Sequence, residues 1–361
     1  MYNGNYLYIL RAKNMPSIEI PNNFVAQLTD IGLVPRDIVL HINSQCNLRC
    51  TYCYIGNHLL DQAFYYTTSS IINFIRDLPP LDRITVLGGE PLLHPGIKNI
   101  VEVIKNHSCK ERRISTNLTI LNEDYLSSLK ENKFRICVSL DGQSPHQHDM
   151  VRGKGAFEKT TRNLKRAIKL GHDIEVTHTV SNKNIDSFWS FVNFCKSIGV
   201  NRLNLHRVSL RGNALTDRTL NVEPTQWRRF IKEIEAKSKQ DPGNLRIRYE
   251  IGFVTSTEYA ELLENKNYKH LSQHSYYSDT GGQRIVIYPN KKIYISSEAF
   301  GTDSYIGDIQ NGYFKCNTSE KSELIISKKT EFNISSINNV FKGDNNYPIP
   351  LSVSYRRSAY I

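Results

Sequence analysis

Cys46-Asn47-Leu48-Arg49-Cys50-Thr51-Tyr52-Cys53 decides how the rest of this chain is read. Three cysteines fall at the first, fifth and eighth places of one short segment. The run just before them, residues 37–42, is apolar (Ile38, Val39, Leu40, Ile42) and predicts a buried strand. A strand that feeds a short loop places that loop at the strand's C-terminal end, the edge where sites collect in α/β proteins. A structural zinc site wants four ligands, usually in two separated pairs. Here there is one CxxC pair, Cys50 and Cys53, with Cys46 four residues earlier and no second pair. A [4Fe–4S] cluster usually takes four thiolates, and three would leave one iron open to a small molecule. Disulfide use does not suit an odd set in a chain whose first residues lack the basic-then-apolar order of a signal peptide. At this point a cluster, zinc and plain core cysteines all stand open.

Outward from the loop, strand and helix patterns alternate. Residues 83–87, 113–116, 134–140, 173–180 and 202–208 read as further strands. Residues 67–78, 96–106, 122–131, 156–170 and 185–198 read as helices, with apolar side chains at helical spacing such as Ile97, Ile100, Val101 and Ile104. Six strand–helix units at about 30-residue spacing are the pattern of parallel βαβ repeats. Eight would close a full barrel; six predict an α/β fold with a partial, open (β/α)6 TIM-like barrel. Three segments follow: an N-terminal extension (1–35, with a strand at 6–10), the core barrel (36–223) and a small α+β C-terminal extension (224–361). In the last, 227–236 and 258–264 read as helices, 245–253 as a strand, and 267–283 as a polar, tyrosine-rich linker. Residues 284–295 read as a β-hairpin turning at Pro289 and Asn290. The last 50 residues, rich in Ser, Asn and Lys, have the composition of a partly disordered, flexible tail.

The second chemical feature is Gly88-Gly89-Glu90-Pro91, at the end of the strand one βαβ unit after the cysteines. Two glycines let the backbone approach a ligand closely, and Glu90 offers an acceptor for an ammonium group. A CxxxCxxC loop with an aromatic before its last cysteine, followed by GGEP at this distance, resembles the radical S-adenosylmethionine (SAM) superfamily. The resemblance implies that Cys46, Cys50 and Cys53 hold one [4Fe–4S] cluster whose open iron binds SAM through its amino and carboxylate groups. Reductive cleavage of the sulfonium would then yield a 5′-deoxyadenosyl radical that abstracts hydrogen from a substrate. It further implies that Gly88, Gly89 and Glu90 meet the methionine amino group, that the backbone of Tyr52 meets the adenine, and that Thr116 makes a SAM contact. By the same resemblance Ser139 serves the ribose and Arg152 the methionine carboxylate, to which its planar fork can donate twice. Asp141-Gly142 is equally an ordinary turn. Residues 205–210 should approach the adenine without singling out one side chain, and Arg211-Gly212-Asn213-Ala214 is another family-like loop.

Residues 36–215 resemble the branch that includes sulfatase-maturing enzymes and maturases of ribosomally made peptides. Residues 285–295 and 305–309 resemble that branch's C-terminal SPASM extension in outline. Ser296 and Ser297 stand where that extension has a cysteine after its hairpin, and Cys316 is the one cysteine beyond Cys195. One thiol cannot hold an auxiliary cluster, so a degenerate extension and a single cluster are expected, which argues against chemistry needing a second one. Cys137, in a strand, and Cys195, on an apolar helix face, read as core packing. Cys109, in a polar loop, and Cys316, in the tail, read as bystanders more than donor thiols. His146 and His148 read as exposed loop residues.

Composition bounds the partners. The chain has 361 residues, 39% hydrophobic and 22% charged, in the range of globular proteins. It has no apolar stretch of transmembrane length, so no membrane partner is expected. A reducing, cytoplasmic compartment suits the free thiols and the cluster. The formal net charge is +11, but the lysines and arginines are spread out, as on solvated helix faces. No Arg-rich tract or RRM signature appears. A peptide substrate is therefore the first expectation. The second is RNA or a nucleotide-like small molecule, and the third a non-catalytic metal-binding partner protein. A reductase or flavodoxin-type electron donor is implied by the resemblance. Substrate identity, the bond made or broken, the general base and the oligomeric state are not legible at this level.

Overall fold

The computed structural model describes residues 16–57, 61, 64–255, 284–288, 290–294, 305–310, 313–317, 349–350 and 356–361. The expected strand at 6–10, the helix at 258–264, the linker at 267–283, Ser296–Ser297 and most of the tail lie outside them.

In chain order the elements are β1 (Ser17–Ile18), α1 (Phe24–Asp30), β2 (Asp37–His41), β3 (Tyr65–Tyr66), α2 (Thr68–Asp77), β4 (Leu81–Leu87), α3 (Ile97–Asn106), β5 (Cys109–Thr116), α4 (Glu123–Glu131), β6 (Arg135–Ser139), α5 (Pro145–Arg152), α6 (Ala156–Lys169), β7 (Asp173–Val180), α7 (Phe188–Ser197), β8 (Arg202–Arg207), α8 (Pro224–Gln240), β9 (Arg246–Glu250), β10 (Phe253–Val254), β11 (Arg284–Ile287), β12 (Lys292–Tyr294), β13 (Gly307–Gln310), β14 (Tyr313–Cys316), β15 (Ile349–Pro350) and β16 (Arg356–Tyr360). One sheet runs β14-β13-β12-β11-β2-β4-β5-β6-β7-β8-β9-β16. From β11 to β9 every neighbour is parallel, and the pairs at either edge are antiparallel. The six expected barrel strands are β2 and β4–β8. The sheet does not stop at residue 224: β9 adds a seventh strand on one side, and β11 docks parallel to β2 on the other. The expected hairpin at 284–295 is present as β11–β12.

The strands alternate in character, and that alternation makes the two ends of the barrel useful. Ile38 and Leu40, Ile84 and Val86, Ile136 and Val138, and Leu203 and Leu205 are buried in one apolar core with the helices. On α3 the buried set Ile97, Ile100, Val101 and Ile104 follows the i, i+3, i+4, i+7 spacing, each side chain contributing about 2 kcal/mol by burial. Alternate strand positions are polar. At the N-terminal end Asp37, Arg83 and Glu111 stand in register on adjacent strands, as do Arg113, Arg135 and Asp173. Charge alternates in sign along the first row, which stabilises the pairing, and in the second Asp173 offsets Arg135 at 3.0 Å.

Within 1–35 the described part forms a strand paired with β3 and the helix α1, whose Phe24 packs 5.6 Å from Phe74 and 5.0 Å from Phe314, centroid to centroid. Cys109 is the first residue of β5, not part of a loop. His148 corrects a larger misplacement. Pro145 opens α5, where a missing N–H costs nothing, and Gly153, with φ of 111°, closes it. His148 is thereby buried and accepts from the Asp141 N–H at 3.1 Å. Burial, then the charge of Arg152, push its pKa down to about 4, so it is a neutral core histidine. Among the described residues no helix is long and apolar enough to cross a membrane.

Asp37 joins β11 to the barrel. It is fully buried, with Arg83 Nε at 3.1 Å from Oδ1 and Arg284 Nε at 2.7 Å from Oδ2. Burial raises its pKa, but Arg284 and Arg83 outweigh this and hold the carboxyl below its usual range. The folded value thus lies below the unfolded value of about 3.9. The stabilisation is whole above about pH 4 and is lost as the pH falls through the folded value. Asp37→Asn should cost about 3–5 kcal/mol at neutral pH by leaving two arginines without their carboxylate. The gap from wild type, measured by urea denaturation, should narrow below about pH 4.

Candidate active site

The cysteine loop leaves β2 and is tied down from four directions. From β4, the Gly89 N–H donates to the Asn43 carbonyl at 2.9 Å and the Glu90 N–H to the Gln45 carbonyl at 2.7 Å. Asn43 Nδ2 returns a bond to the Glu90 carbonyl at 3.0 Å. From β5, Asn117 Nδ2 donates to Asn47 Oδ1 at 2.9 Å and lies 4.0 Å from Cys46 Sγ. From α5, the Val151 carbonyl accepts from the Thr51 N–H at 2.8 Å. After β8, the Asn213 N–H donates to the Cys53 carbonyl and its Nδ2 to the Cys50 carbonyl, both at 2.9 Å. These tethers bring Cys46, Cys50, Cys53, Gly88, Gly89, Glu90, Thr116 and Arg152 to one rim, although they span more than a hundred residues of sequence.

The glycines are required by the chain itself. A Cβ on Gly88 would meet Asn43 Oδ1 at 1.8 Å, and one on Gly89 would meet the Gln45 carbonyl oxygen at 2.3 Å. The close approach is of strand β4 to the cysteine loop. In Gly89→Ala the clash is with backbone, which cannot rotate away. We expect a loss of about 1–3 kcal/mol by thermal denaturation, with SAM affinity lowered in equilibrium dialysis because Glu90 moves with its neighbour.

Glu90 is 1% exposed. Its carboxylate accepts from Thr116 Oγ1 at 2.7 Å, the Asn117 N–H at 2.8 Å and the Leu92 N–H at 3.1 Å. Thr116 is buried and also accepts from the Leu118 N–H at 2.9 Å, so its hydroxyl orients Glu90. Burial lifts the Glu90 pKa to about 7 in spite of three donors. A buried carboxylate held so high is one that an adjacent ammonium would return to its charged form.

Asp141, for which an ordinary turn is an equal reading of the sequence, is a hub. It is fully buried. Its carboxylate accepts from the Tyr52 hydroxyl, from Arg152 Nε and, at 2.7 Å, from the Thr179 N–H. Burial raises its pKa, but Arg152 and then the nearby histidines outweigh it and hold the carboxyl low. The Arg152 guanidinium lies over the Tyr52 ring, 5.5 Å from its centroid, with Nη1 3.9 Å from Cys50 Sγ. Asp141 therefore fixes both side chains against the cysteine loop. Ser139, the last residue of β6, is half-buried beside Thr177 in register.

Within 205–210, His206 is half-exposed at the end of β8, its Nδ1 3.2 Å from Glu250 Oε1 on β9. His206, Asn117 and Asn213 were not singled out by sequence. For Asn213 a signal existed in the Arg-Gly-Asn-Ala loop. Cys137 and Cys195 are buried, as expected of packing residues.

The residues fit a thiolate-bound cluster and an aminocarboxylate ligand. Burial, then Glu90 and Cys50, raise the Cys46 thiol; burial pushes the Cys50 thiol up to about 11, with Arg152 opposing. Such thiols become thiolates when a metal takes the place of the proton. The Leu48 N–H, Asn117 Nδ2 and Arg152 Nη1 stand within reach of the sulfurs. Among the described residues no three His, Cys, Asp or Glu side chains sit at single-ion geometry. A cubane instead addresses its thiolates at separate irons.

A parallel open barrel carrying this loop defines the class: residues 40–195 match the family described as the radical SAM superfamily, and the chain carries a radical SAM domain. The family's cofactors are a [4Fe–4S] cluster and SAM. Among curated sequences the chain is 28% identical over 168 residues to a probable GTP 3′,8-cyclase of Methanococcus maripaludis, covering 45% of this chain and 56% of that protein. A probable GTP 3′,8-cyclase of Methanocaldococcus jannaschii is 29% identical over 168 residues, with the same coverage. The chain thus spans little more than half the length of these relatives. Among solved structures it is similar to Streptococcus suis SuiB (TM-score 0.61, 16% identity, 86% of this chain and 71% of that one) and to anSMEcpe with bound AdoMet (TM-score 0.61, 16% identity, 88% and 93%). At that identity the likeness is one of fold.

Proposed function

We propose that this chain is a radical SAM enzyme that abstracts hydrogen from a ribosomally made peptide. The observation that carries the catalytic reading is the assembly of Cys46, Cys50, Cys53, Glu90 and Arg152 at one rim. In this reading the three thiolates hold the cluster, which supplies the electron for reductive cleavage of SAM. Glu90, oriented by Thr116 and the Asn117 N–H, accepts from the methionine ammonium, while Gly88 and Gly89 let the end of β4 seat against the cysteine loop. Arg152, gripped through Nε by Asp141, presents its remaining donors to the carboxylate. The Tyr52 backbone lies along the adenine and Ser139 by the ribose. Exclusion of water from the rim would protect the radical.

The peptide reading is supported by the C-terminal strands β11–β14 beside β2 and by the match across 89% of this chain to an anSMEcpe structure described as having bound AdoMet and the Cp18Cys peptide. A related SuiB structure is described as bound to the precursor peptide SuiA. A reductase or flavodoxin-type donor would supply the electron. A nucleotide substrate is the second reading, favoured by the GTP 3′,8-cyclase relatives and the net charge of +11. Anaerobic reconstitution followed by a 5′-deoxyadenosine assay, with candidate peptides and with GTP, tests both. A peptide-dependent rise with a mass change in the peptide supports the first reading. A GTP-dependent rise replaces it with the second, and no 5′-deoxyadenosine under any condition removes both.

A further inference from the structure

The outer face of α6 is basic. Its exposed residues are Glu158, Lys159, Arg162, Lys165, Arg166 and Lys169, one carboxylate against five cations. The exposed Lys154 precedes them in the turn from α5. Arg166 pairs with Glu123 of α4. Lys154, Lys159, Arg162, Lys165 and Lys169 pair with no carboxylate among the described residues. On other helices Lys98, Lys105 and Arg229 meet Asp124, Glu102 and Glu233 at 2.8, 3.6 and 3.9 Å. From Lys159 to Lys169 the like charges recur at i, i+3 and i, i+4, a spacing that weakens a helix. The buried face sustains α6 in spite of it, through Ala156, Thr160, Leu164 and Ala167. An uncompensated field of this kind draws acidic partners and speeds their encounter.

The buried face also fixes where that charge sits. Thr160 Oγ1 donates to the Asn117 carbonyl and Asn163 Nδ2 to the Leu118 carbonyl, both at 2.8 Å, and Asn117 Nδ2 lies 4.0 Å from Cys46 Sγ. At the end of α5, Arg152 Nη1 lies 3.9 Å from Cys50 Sγ, and the Val151 carbonyl holds the Thr51 N–H. Between the basic face and Cys46 stand the thickness of α6, about 10 Å, and Asn117. Met150 on α5 is 46% exposed, and the exposed Thr51 belongs to the cysteine loop itself. Apolar surface thus borders the charge on the side nearest the thiols, the mixture that protein interfaces use. The exposed face of α6 carries no aromatic ring on which a nucleic-acid base could stack.

We propose that this face of α6, bordered by Met150, docks the acidic one-electron carrier, of the flavodoxin class, that reduces the cluster. The role rests on the cluster reading of the cysteine loop. One electron leaves the anionic flavin hydroquinone, which becomes the neutral semiquinone, and enters the cluster; no proton moves and no bond forms or breaks. The test titrates reconstituted holoenzyme with an oxidised acidic flavodoxin by calorimetry, then reduces the cluster with that flavodoxin in its reduced form or with dithionite. Lys159→Glu, Arg162→Glu and Lys165→Glu, made together, should weaken flavodoxin binding and slow flavodoxin-driven reduction about tenfold or more at low salt. The gap should close as ionic strength rises. Dithionite-driven reduction, read from the spin signal of the reduced cluster, should match the wild type and shows that the variant is folded and loaded. Arg76→Glu on α2 with Lys237→Glu and Lys239→Glu on α8 changes the net charge equally and should leave flavodoxin binding as it was. In the wild type, carbodiimide cross-links from flavodoxin carboxylates should fall on Lys154, Lys159 or Lys165, a readout that needs no variant. No saturable binding, cross-links confined to other faces, undiminished binding in the α6 variant, or a single-stranded RNA that displaces flavodoxin from this face would overturn the proposal. Failure of dithionite to reduce the wild-type cluster instead removes the cluster reading, and this role with it.

Discussion

Cys46→Ala, Cys50→Ala and Cys53→Ala, each prepared without oxygen and reconstituted with iron and sulfide, should lose cluster content and 5′-deoxyadenosine formation. Changing a residue that merely supports a metal ligand typically costs 10–100-fold. Removing a ligand outright should therefore exceed about 100-fold. Three such thiolates already leave one iron without a protein ligand, and a cluster on two is poorly held. Iron and sulfide analysis with the visible absorption of the cluster checks the first loss; chromatography of SAM products checks the second. Cys109→Ala and Cys316→Ala are the controls, since neither thiol lies in the rim, and both should keep their iron. Retention of a full cluster by any of the three loop variants would remove the basis of the proposed chemistry.

The second large effect is expected at Asp141. Asp141→Asn keeps the shape but gives up the charge that Arg152, Tyr52 and the Thr179 N–H all use. Breaking a buried ion pair from one side costs about 3–5 kcal/mol, because Arg152, 8% exposed, is left as an uncompensated buried cation. Urea denaturation should show that loss. A merely structural role would stop there. A positioning role adds a weakened affinity for SAM, since Arg152 and Tyr52 would no longer be held against the cysteine loop. Conversely, Arg152→Lys keeps the charge but not the fork. It should retain more stability than Asp141→Asn while still weakening SAM binding. Equal SAM affinity in wild type and both variants would remove Arg152 from the site.

These two experiments separate what could be read locally from what could not. The CxxxCxxC loop and the Gly-Gly-Glu-Pro turn are short, and each follows a strand whose apolar period is visible by itself. Their meeting was legible because one βαβ unit returns the chain to the same sheet edge. Asp141 was not legible, because an Asp-Gly pair after a strand has the composition of an ordinary turn. Its partners Tyr52, Arg152 and Thr179 are set by which loops share a rim. His148 was misread for a related reason: a polar stretch opened by Pro145 looks like a loop until its helix is packed and Asp141 donates to the imidazole. Thr116 ends β5, and only the fold shows that its hydroxyl donates to Glu90.

What the amino-acid order determined by itself is the alternation of strands and helices, the three thiols and the glycine-rich turn. Each of these follows from side-chain periodicity and spacing within a few residues. The tertiary structure alone decided how the cysteine loop is clamped by Asn43, Asn117, Val151 and Asn213, and how Arg284 brings β11 against β2 through Asp37. It also decided that α6 would lie over Asn117 beside the cysteine loop. Those outcomes rest on contacts between residues far apart in the chain, where register and loop packing, rather than local preference, choose the partner.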